Sequence, residues 1–235
     1  AYFVRHGERL DYLRAEKERN EDINDKNTLL SDFGKAQALL TGIAIARDLR
    51  PRLKPGAKVL ILTSPYLRCI QTAFQVMLGM KAEGVDVYDP TIYYNDYLKE
   101  YQNQKNTMTT EEISTAFKIL QLPEAVMLQK GGDQLPIEVT KENPALSFTR
   151  TRVFIEKLKD PNFELGGVHP DAVICITHAF FLINLYFMYS KVMEAYGLID
   201  YCSFTKLLID DKGETRLDHI NRQEHLDKLN FQQKL

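Results

Sequence analysis

Continuous apolar runs, bounded by polar residues, predict the strands of this chain. The clearest three cover residues 1–5, 58–63 and 172–177. Runs of this length without polar alternation are typical of parallel strands that are covered on both faces. Two weaker runs predict further strands, one at 85–94 that weakens or ends at Pro90, and one at 202–209 that is the last of the chain.

Apolar residues that recur every three or four positions predict helices between these strands. The predicted helices cover residues 32–50, 65–80, 109–120, 146–158 and 179–196. Ser31 is the expected N-cap of the first helix, and Pro65 is expected near the first turn of the second. Two glycines and two prolines in residues 130–144 predict a loop, and the polar stretch after the turn at Asp211-Lys212-Gly213 is expected on the surface.

Strands that alternate with helices of this length indicate the α/β class. We therefore predict three layers, with helices on both faces of a mainly parallel central sheet. All 235 residues are expected to form one domain, with polar insertions near residues 10–30 and 97–145. Because such sheets bind ligands at the carboxyl ends of their strands, functional residues are expected at those ends.

Composition and charge narrow the classes of partner. Lys and Arg number 30 and Asp and Glu number 32, so the net charge of −2 argues against a nucleic-acid-binding protein. The three cysteines Cys69, Cys175 and Cys202 make no even disulfide framework, and a reducing compartment is expected. Residues 180–188, the most apolar late stretch, are far fewer than the roughly 20 that a membrane-spanning helix needs, so no membrane partner is expected.

Three of the predicted strands end in residues that suit a phosphate group. Arg5-His6-Gly7-Glu8-Arg9, Thr63-Ser64-Pro65-Tyr66-Leu67-Arg68 and Thr177-His178-Ala179 follow the three clearest apolar runs. If these strands are parallel neighbours, two histidines and up to three arginines meet at one edge. Arginine offers a planar fork of donors that matches phosphate oxygens, and a neutral imidazole can attack phosphorus. One such residue alone is usually structural, but the joint pattern predicts a phosphate site.

Four segments of the chain resemble signatures of one protein family. Val4-Arg5-His6-Gly7-Glu8 resembles the RHG signature of the histidine phosphatase superfamily, which is also called phosphoglycerate mutase-like. Residues 30–38 (LSDFGKAQA), 64–73 (SPYLRCIQTA) and 177–179 (THA) are similar to three further segments of branch 1 of that superfamily. The RHGER run and the late His-Ala pair resemble, within it, the phosphatase domain of the suppressor of T-cell receptor signalling proteins.

The resemblance implies a phosphoglycerate mutase-like fold and a two-step phosphoryl transfer. His6 would attack the substrate phosphorus and become a phosphohistidine, which water then hydrolyses. Arg5, Arg9, Arg68 and His178 would hold the phosphoryl oxygens and offset their charge. No metal and no other cofactor is required by this set of residues. The relatives act in the cytoplasm and can dimerise through this domain, so the resemblance also implies a cytoplasmic location and a homodimer.

The general acid that protonates the leaving oxygen has two candidates. The family places a carboxylate after the third motif, at the end of another strand. Tyr97-Leu98-Lys99-Glu100 resembles the family's L-x-E pattern and favours Glu100. Asp96 is nearer to the probable end of the strand and is the alternative.

The expected activity is that of a phosphomonoesterase acting on a phosphorylated small molecule or a phosphoprotein. Tyr93, Tyr94, Tyr97 and Tyr101 are candidates to line an aromatic wall for phosphotyrosine or a small aromatic ester, and core packing is the alternative for some of them. A phosphoglycerate mutase is a second interpretation, although the N-x-x-x-x-x-x-G-W run of cofactor-dependent mutases is missing after His6. An inactive, phosphate-binding scaffold domain is a third.

Overall fold

The fold is taken from a computed structural model that describes residues 1–13, 27–101, 120, 122, 126–131, 142–190, 199–227 and 229. The helix expected over residues 109–120 lies outside the described residues except for its last position. The last part of the helix expected over residues 179–196 lies outside them as well, and so does most of each expected insertion.

Seven strands form one sheet in the described part of the chain. They are β1 (Tyr2–Arg5), β2 (Val59–Thr63), β3 (Thr91–Tyr94), β4 (Met127–Lys130), β5 (Ala172–Thr177), β6 (Phe204–Ile209) and β7 (Thr215–Arg222). Their order across the sheet is β4-β3-β2-β5-β1-β6-β7. The strands from β4 to β1 are parallel, whereas β6 and β7 are antiparallel to their neighbours. The predicted mainly parallel α/β sheet is confirmed.

Four α-helices are described with this sheet. They are α1 (Asp32–Leu49), α2 (Leu67–Ala82), α3 (Pro144–Lys159) and α4 (Ala179–Ser190). Ser31 caps α1 as expected, because its Oγ accepts a hydrogen bond from the amide of Gly34 at 2.9 Å. Helix α2 starts two residues later than predicted, so Pro65 precedes its N-cap Tyr66. None of the helices in the described residues combines the length and apolar character that crossing a bilayer requires.

Two hydrophobic cores, one on each face of the sheet, complete the three layers. Successive residues of β1 point to opposite faces, as the period of a strand requires. Tyr2 and Val4 pack in the core beneath α1 and α2, whereas Phe3 packs against Phe154 of α3 and Phe181 of α4. This double covering explains why β1, β2 and β5 have continuous apolar sequences.

Helices α1 and α2 pack backbone against backbone. A Cβ atom on Gly42 would lie 2.1 Å from the carbonyl oxygen of Val76, and one on Gly79 would lie 2.1 Å from that of Leu39. Since neither distance leaves room for a side chain, the two glycines set the separation of the helices.

Three features of the secondary structure differ from the predictions. Strand β3 begins only after Pro90, because Asp89 has a φ of 45° and proline has no N–H to donate. Residues 127–130 form the exposed edge strand β4, although the prediction began a loop at residue 130. β6 is followed by β7, whose alternation of half-buried and exposed positions places it at the opposite edge.

The order of strands brings the three predicted strand ends together. β5 lies between β1 and β2, with Arg5 opposite Thr177 and Ile176 opposite Thr63. The carboxyl ends of these neighbours therefore meet at one edge of the sheet, and β3 ends at the same edge. We call this edge, with the residues that follow β1, β2, β3 and β5, the active-site edge.

Candidate active site

His6 is the first residue beyond β1, and its side chain is only 3% exposed. Its amide continues the pairing with β5 by donating to the carbonyl of Thr177 at 3.0 Å. The ring Nδ1 lies 2.8 Å from the carbonyl oxygen of Gly7. Because a carbonyl only accepts, Nδ1 carries the proton, and the neutral ring keeps a lone pair on Nε2. Nε2 is thus the atom of His6 able to act as a nucleophile.

His178 is the first residue beyond β5 and is fully buried. Its ring centroid lies 5.2 Å from that of His6. Nε2 lies 2.8 Å from Ser64 Oγ, a hydroxyl that can donate or accept. Nδ1 lies 3.3 Å from Nη2 of Arg68 and 3.4 Å from Oε2 of Glu100. His178 therefore joins the ends of β2, β5 and the segment after β3.

Two arginines stand beside the histidine pair. Arg68 is buried in the first turn of α2, with its guanidinium 4.6 Å from the centre of the Tyr66 ring. Arg5 is the last residue of β1; it donates to the carbonyl of Ile199, and its guanidinium stacks 3.9 Å from the centre of the Tyr201 ring. Aromatic stacking holds each guanidinium plane in place.

The two candidate acids occupy different positions. Glu100 approaches Nδ1 of His178, and its side chain is 23% exposed, so it is also accessible from solution. Asp96 instead forms an ion pair with Lys99, at 2.8 Å, within a one-turn helix that Asn95 caps. The geometry therefore brings Glu100, and not Asp96, into the cluster around His178.

Arg9 has a bidentate ion pair with Asp11. Its Nε lies 2.9 Å from Asp11 Oδ1. The segment of Arg9 is tied to residues 29–31, since the Leu10 amide donates to the carbonyl of Leu29 and Arg9 pairs with Leu30 as an isolated bridge. Arg9 thus lies in the segment that follows β1, and the carboxylate of Asp11 partly neutralises its charge.

The pKa values of the two histidines fall because both rings are buried among positive charges. Burial, then Arg68, His178 and Arg5, lower the pKa of His6 well below its usual 6.5. Burial lowers the pKa of His178 to about 4; Arg68 acts in the same direction and Glu100 opposes it. Both rings are therefore neutral at pH 7.

Glu100 is ionised in the free site. Burial raises the pKa of a carboxyl group, but here the contacts with His178 and Arg68 outweigh burial, and the pKa of Glu100 falls to about 2. At neutral pH the cluster thus holds two guanidinium cations, one carboxylate and two neutral imidazoles. The excess positive charge favours an anionic ligand.

One group of described side chains has ligand atoms close enough to hold a metal ion. These atoms belong to His6, Glu100 and His178 and lie within 4.8 Å of one another. Arg5 and Arg68 border the same group, and their charges favour an anion over a cation. The donor set alone would accept a metal, but the electrostatics of its surroundings suit a phosphate better.

Several motif residues hold the backbone around the nucleophile, a role that sequence reasoning did not assign. Thr72 Oγ1 accepts the amide of Gly7 at 3.0 Å, and Gln37 Oε1 accepts the amide of Glu8 at 3.0 Å. A Cβ atom on Gly34 would lie 2.3 Å from the carbonyl oxygen of Glu8, so the start of α1 touches this backbone directly. Gln37 and Thr72 belong to the second and third motifs, and that membership was the available signal for these contacts.

Of the two interpretations offered for the four tyrosines, core packing is confirmed for Tyr93 and Tyr97. Tyr93 and Tyr97 are each 5% exposed and pack in the core beneath α3 and α4. Tyr101 is half-buried and stacks on Phe180 with the ring centroids 4.7 Å apart. Because strand β3 is covered on both faces, a tyrosine near the site can still belong to the core.

Comparison with solved structures shows the fold. A phosphoglycerate mutase from Bacillus anthracis str. Sterne has a TM-score of 0.58 and 15% identity, over 97% of this chain and 94% of its own. A protein described as mycobacterial hydrolase 1 has a TM-score of 0.55 and 20% identity, over 94% and 97%. A mycobacterial glucosyl-3-phosphoglycerate phosphatase has a TM-score of 0.52 and 20% identity, over 94% and 98%.

The chain thus has the α/β fold of phosphoglycerate mutase-like proteins, as the four motifs led us to expect. No family model matches the sequence, and no curated protein matches it either. At these identities the likeness shows the fold alone, and the chemistry of the chain depends on the residues of the site.

Proposed function

We propose that this chain is a phosphomonoesterase of the histidine phosphatase superfamily, branch 1, and that it acts through a phosphohistidine on His6. The observation that carries the proposal is the cluster at the active-site edge. A buried, neutral His6 with its lone pair on Nε2 lies 5.2 Å, between ring centroids, from a second buried histidine, and two guanidinium groups adjoin the pair. Such a site attracts a phosphate dianion and holds a nucleophile ready for it.

In the first step, Nε2 of His6 attacks phosphorus in line with the ester oxygen. The new P–N bond forms as the P–O bond to the leaving group breaks, and the leaving oxygen takes a proton from Glu100. In the second step, water attacks the phosphohistidine, Glu100 takes a proton from that water, and the P–N bond breaks to release inorganic phosphate. Nε2 regains its lone pair, so atoms and charges balance over the cycle.

Positive charge and hydrogen-bond donors stabilise the equatorial oxygens during both steps. Arg5 and Arg68 are the proposed principal partners of these oxygens, together with an N–H of His178. Arg9 is a further candidate, with its charge shared with Asp11. Preorganised donors of this kind act more strongly in a buried site than in water. Since they supply the positive charge, we propose a reaction that requires no metal.

Glu100 must gain a proton before it can act as the acid, because it is ionised in the free site. A bound phosphate group carries negative charge close to Glu100, and like charges raise the pKa of a carboxyl group. A phosphate monoester that enters as the monoanion also brings the proton needed. The contact with His178 Nδ1 keeps the carboxyl group next to the reacting centre.

A phosphoglycerate mutase is the second candidate, because a mutase has the highest TM-score among the three structures compared. The two activities use the same phosphohistidine and differ in the acceptor of the phosphoryl group. The chain contains no tryptophan and therefore lacks the G-W pair of cofactor-dependent mutases. We favour hydrolysis. The third candidate is an inactive scaffold domain, which is disfavoured because the two histidines, the two arginines and Glu100 are all present in the cluster.

For the substrate, we propose an aromatic phosphate monoester or a phosphotyrosine protein. The half-buried pair of Tyr101 and Phe180 supports this, since these residues follow Glu100 and His178 closely in the chain. Tyr201, whose ring centroid lies 5.6 Å from that of His6, is a second aromatic surface.

We further propose a cytoplasmic location, supported by three cysteines that are all free and buried.

Hydrolysis of p-nitrophenyl phosphate, with and without a chelator, tests the proposal. Wild-type protein should hydrolyse it equally in both conditions, and His6→Ala should lose at least about 10³-fold in kcat/KM. A quench in alkaline detergent, in which the P–N bond is stable, should trap label from ³²P-labelled substrate on His6 of wild type, and His6→Ala should trap none. Transfer to 3-phosphoglycerate in the presence of bisphosphoglycerate, faster than hydrolysis, would favour the mutase. Phosphopeptide binding without turnover would favour the scaffold.

A further inference from the structure

A buried arginine outside the cluster fastens the segment that carries Glu100. Arg150 lies in α3 and has its side chain only 5% exposed. Its Nε and Nη2 donate to the two oxygens of Glu142, at 2.7 and 2.9 Å. Its Nη1 donates to the carbonyls of Tyr97 and Lys99, at 2.7 and 2.8 Å, and Nη2 also reaches the carbonyl of Glu100 at 3.4 Å. All five N–H donors of the guanidinium thus have acceptors.

The carbonyls of Tyr97 to Glu100 depend on side chains for their hydrogen bonds. The segment begins within the one-turn helix Asp96–Leu98 and belongs to no strand, so a sheet does not satisfy these carbonyls. Arg150 binds three of its four carbonyls, and the hydroxyl of Thr177 donates to the fourth, that of Leu98, at 2.9 Å. Thr177 directly precedes His178. Both fastenings therefore locate Glu100 relative to His178.

Glu142 holds Arg150 in the orientation that these contacts need. Its carboxylate is 1% exposed and forms a bidentate pair with the guanidinium, which fixes the plane of the fork. The remaining N–H groups then point at the carbonyls of the Glu100 segment. A lysine could neutralise Glu142, but its single ammonium group cannot bind the carboxylate and three carbonyls together.

We propose that Arg150, held by Glu142, is a positioning residue for the general acid. It touches no reacting atom; it sets the place of the Glu100 carboxyl group beside His178 by binding the backbone of residues 97–100. This inference rests on the proposed function, since it assigns the acid of that reaction. It predicts that a change at Arg150 affects the protonation of the leaving group more than the attack on phosphorus.

Two substrates that differ only in the leaving group separate these effects. p-Nitrophenolate leaves readily without a proton, whereas the phenolate of phenyl phosphate benefits strongly from an acid. In Arg150→Lys and Glu142→Gln, kcat/KM for phenyl phosphate should fall about 10- to 100-fold, and that for p-nitrophenyl phosphate by less than about threefold. Glu100→Gln should show the same selectivity with a larger loss. Equal losses on both substrates in the Arg150 and Glu142 variants would overturn the proposal.

A matched control separates positioning from general damage to the fold. Lys206→Met breaks another buried ion pair, with Asp48, at the far end of β1. It should change kcat/KM for the two substrates by the same factor. Leaving-group selectivity in this control as large as in Arg150→Lys would also count against positioning.

A measurement that does not depend on turnover tests the positioning role of Arg150 separately from the proposed function. The side-chain nitrogen resonances of His178 report the contact of Nδ1 with Glu100. They should move in both Glu100→Gln and Arg150→Lys and stay in place in Lys206→Met. Wild-type protein without hydrolysis would refute the proposed function alone. A His178 signal that moves in Glu100→Gln but not in Arg150→Lys would refute the positioning role alone.

Discussion

Both ends of the central sheet bury charged side chains, but they balance those charges differently. At the end opposite the active-site edge, Lys206 is 2% exposed and contacts Asp48 at 2.7 Å and Asp218 at 3.0 Å. Asp48 also pairs with Arg52 at 3.0 Å and accepts from the hydroxyl of Tyr2. We call these five residues the balanced cluster. Each charge in it has an opposite charge within reach.

The active-site edge instead concentrates like charges. Arg5 and Arg68 outnumber Glu100 there, and the two buried histidines are forced to stay neutral. Complete ion pairs balance each other's charge and leave little field for a ligand, whereas an excess of positive charge can bind an anion. Buried charge alone therefore does not mark a functional site in this molecule, whereas an excess of one sign does.

The largest effect on this contrast is expected from Arg68→Gln. It removes a charge that faces both His178 and the space next to His6, and kcat/KM for p-nitrophenyl phosphate should fall about 10²- to 10³-fold. The free energy of unfolding, measured in urea, should change little or increase, because repulsion among like charges is relieved. Retained activity in a correctly folded variant would remove Arg68 from the proposed mechanism.

The complementary change, Lys206→Met in the balanced cluster, should act on stability. Removing one partner leaves Asp48 buried with less compensation, and the free energy of unfolding should fall by about 3 kcal/mol. Activity per folded molecule at 25 °C should match that of wild type. If this variant were as stable as wild type but inactive, the division between the two ends of the sheet would be refuted.

The third effect in size is expected from acidification, which should lower the free energy of unfolding through the histidines of the active-site edge. His178 has a pKa of about 4 when folded and 6.5 in the unfolded chain, so below pH 6.5 the unfolded chain binds more protons. The free energy of unfolding therefore falls as the pH drops from 6.5 toward 4, and at pH 5 this histidine alone should cost about 2 kcal/mol. His6 acts in the same direction. Urea unfolding at pH 7 and pH 5 should show a smaller loss for His178→Asn than for wild type; equal losses would contradict the assignment.

The smallest effect is expected from Arg9→Gln. Its charge is already shared with Asp11, so the change should raise KM with a loss of less than about tenfold in kcat/KM. The measurement uses the same substrate and buffer as for Arg68→Gln. A loss as large as that of Arg68→Gln would show that Arg9 serves the phosphate directly and turns away from Asp11 when substrate binds.

Several local assignments could not be made from the sequence. The choice between Glu100 and Asp96 depends on a one-turn helix and on Arg150, which lies about 50 positions further along the chain. The two interpretations of Tyr93 stayed open because nothing local distinguishes a tyrosine in a doubly covered strand from one that lines a cleft. Strand β7 was missed because edge strands are polar and short of apolar signal.

The α/β class follows from the amino-acid sequence, and so do the three strand ends at or just after which His6, His178 and Arg68 lie. They follow because doubly covered parallel strands require continuous apolar runs, and the residues after such runs lie at one edge of the sheet. Tertiary structure alone decided that β5 lies between β1 and β2, which sets the two rings side by side. It also decided which carboxylate reaches His178, because that depends on contacts between residues far apart in the chain.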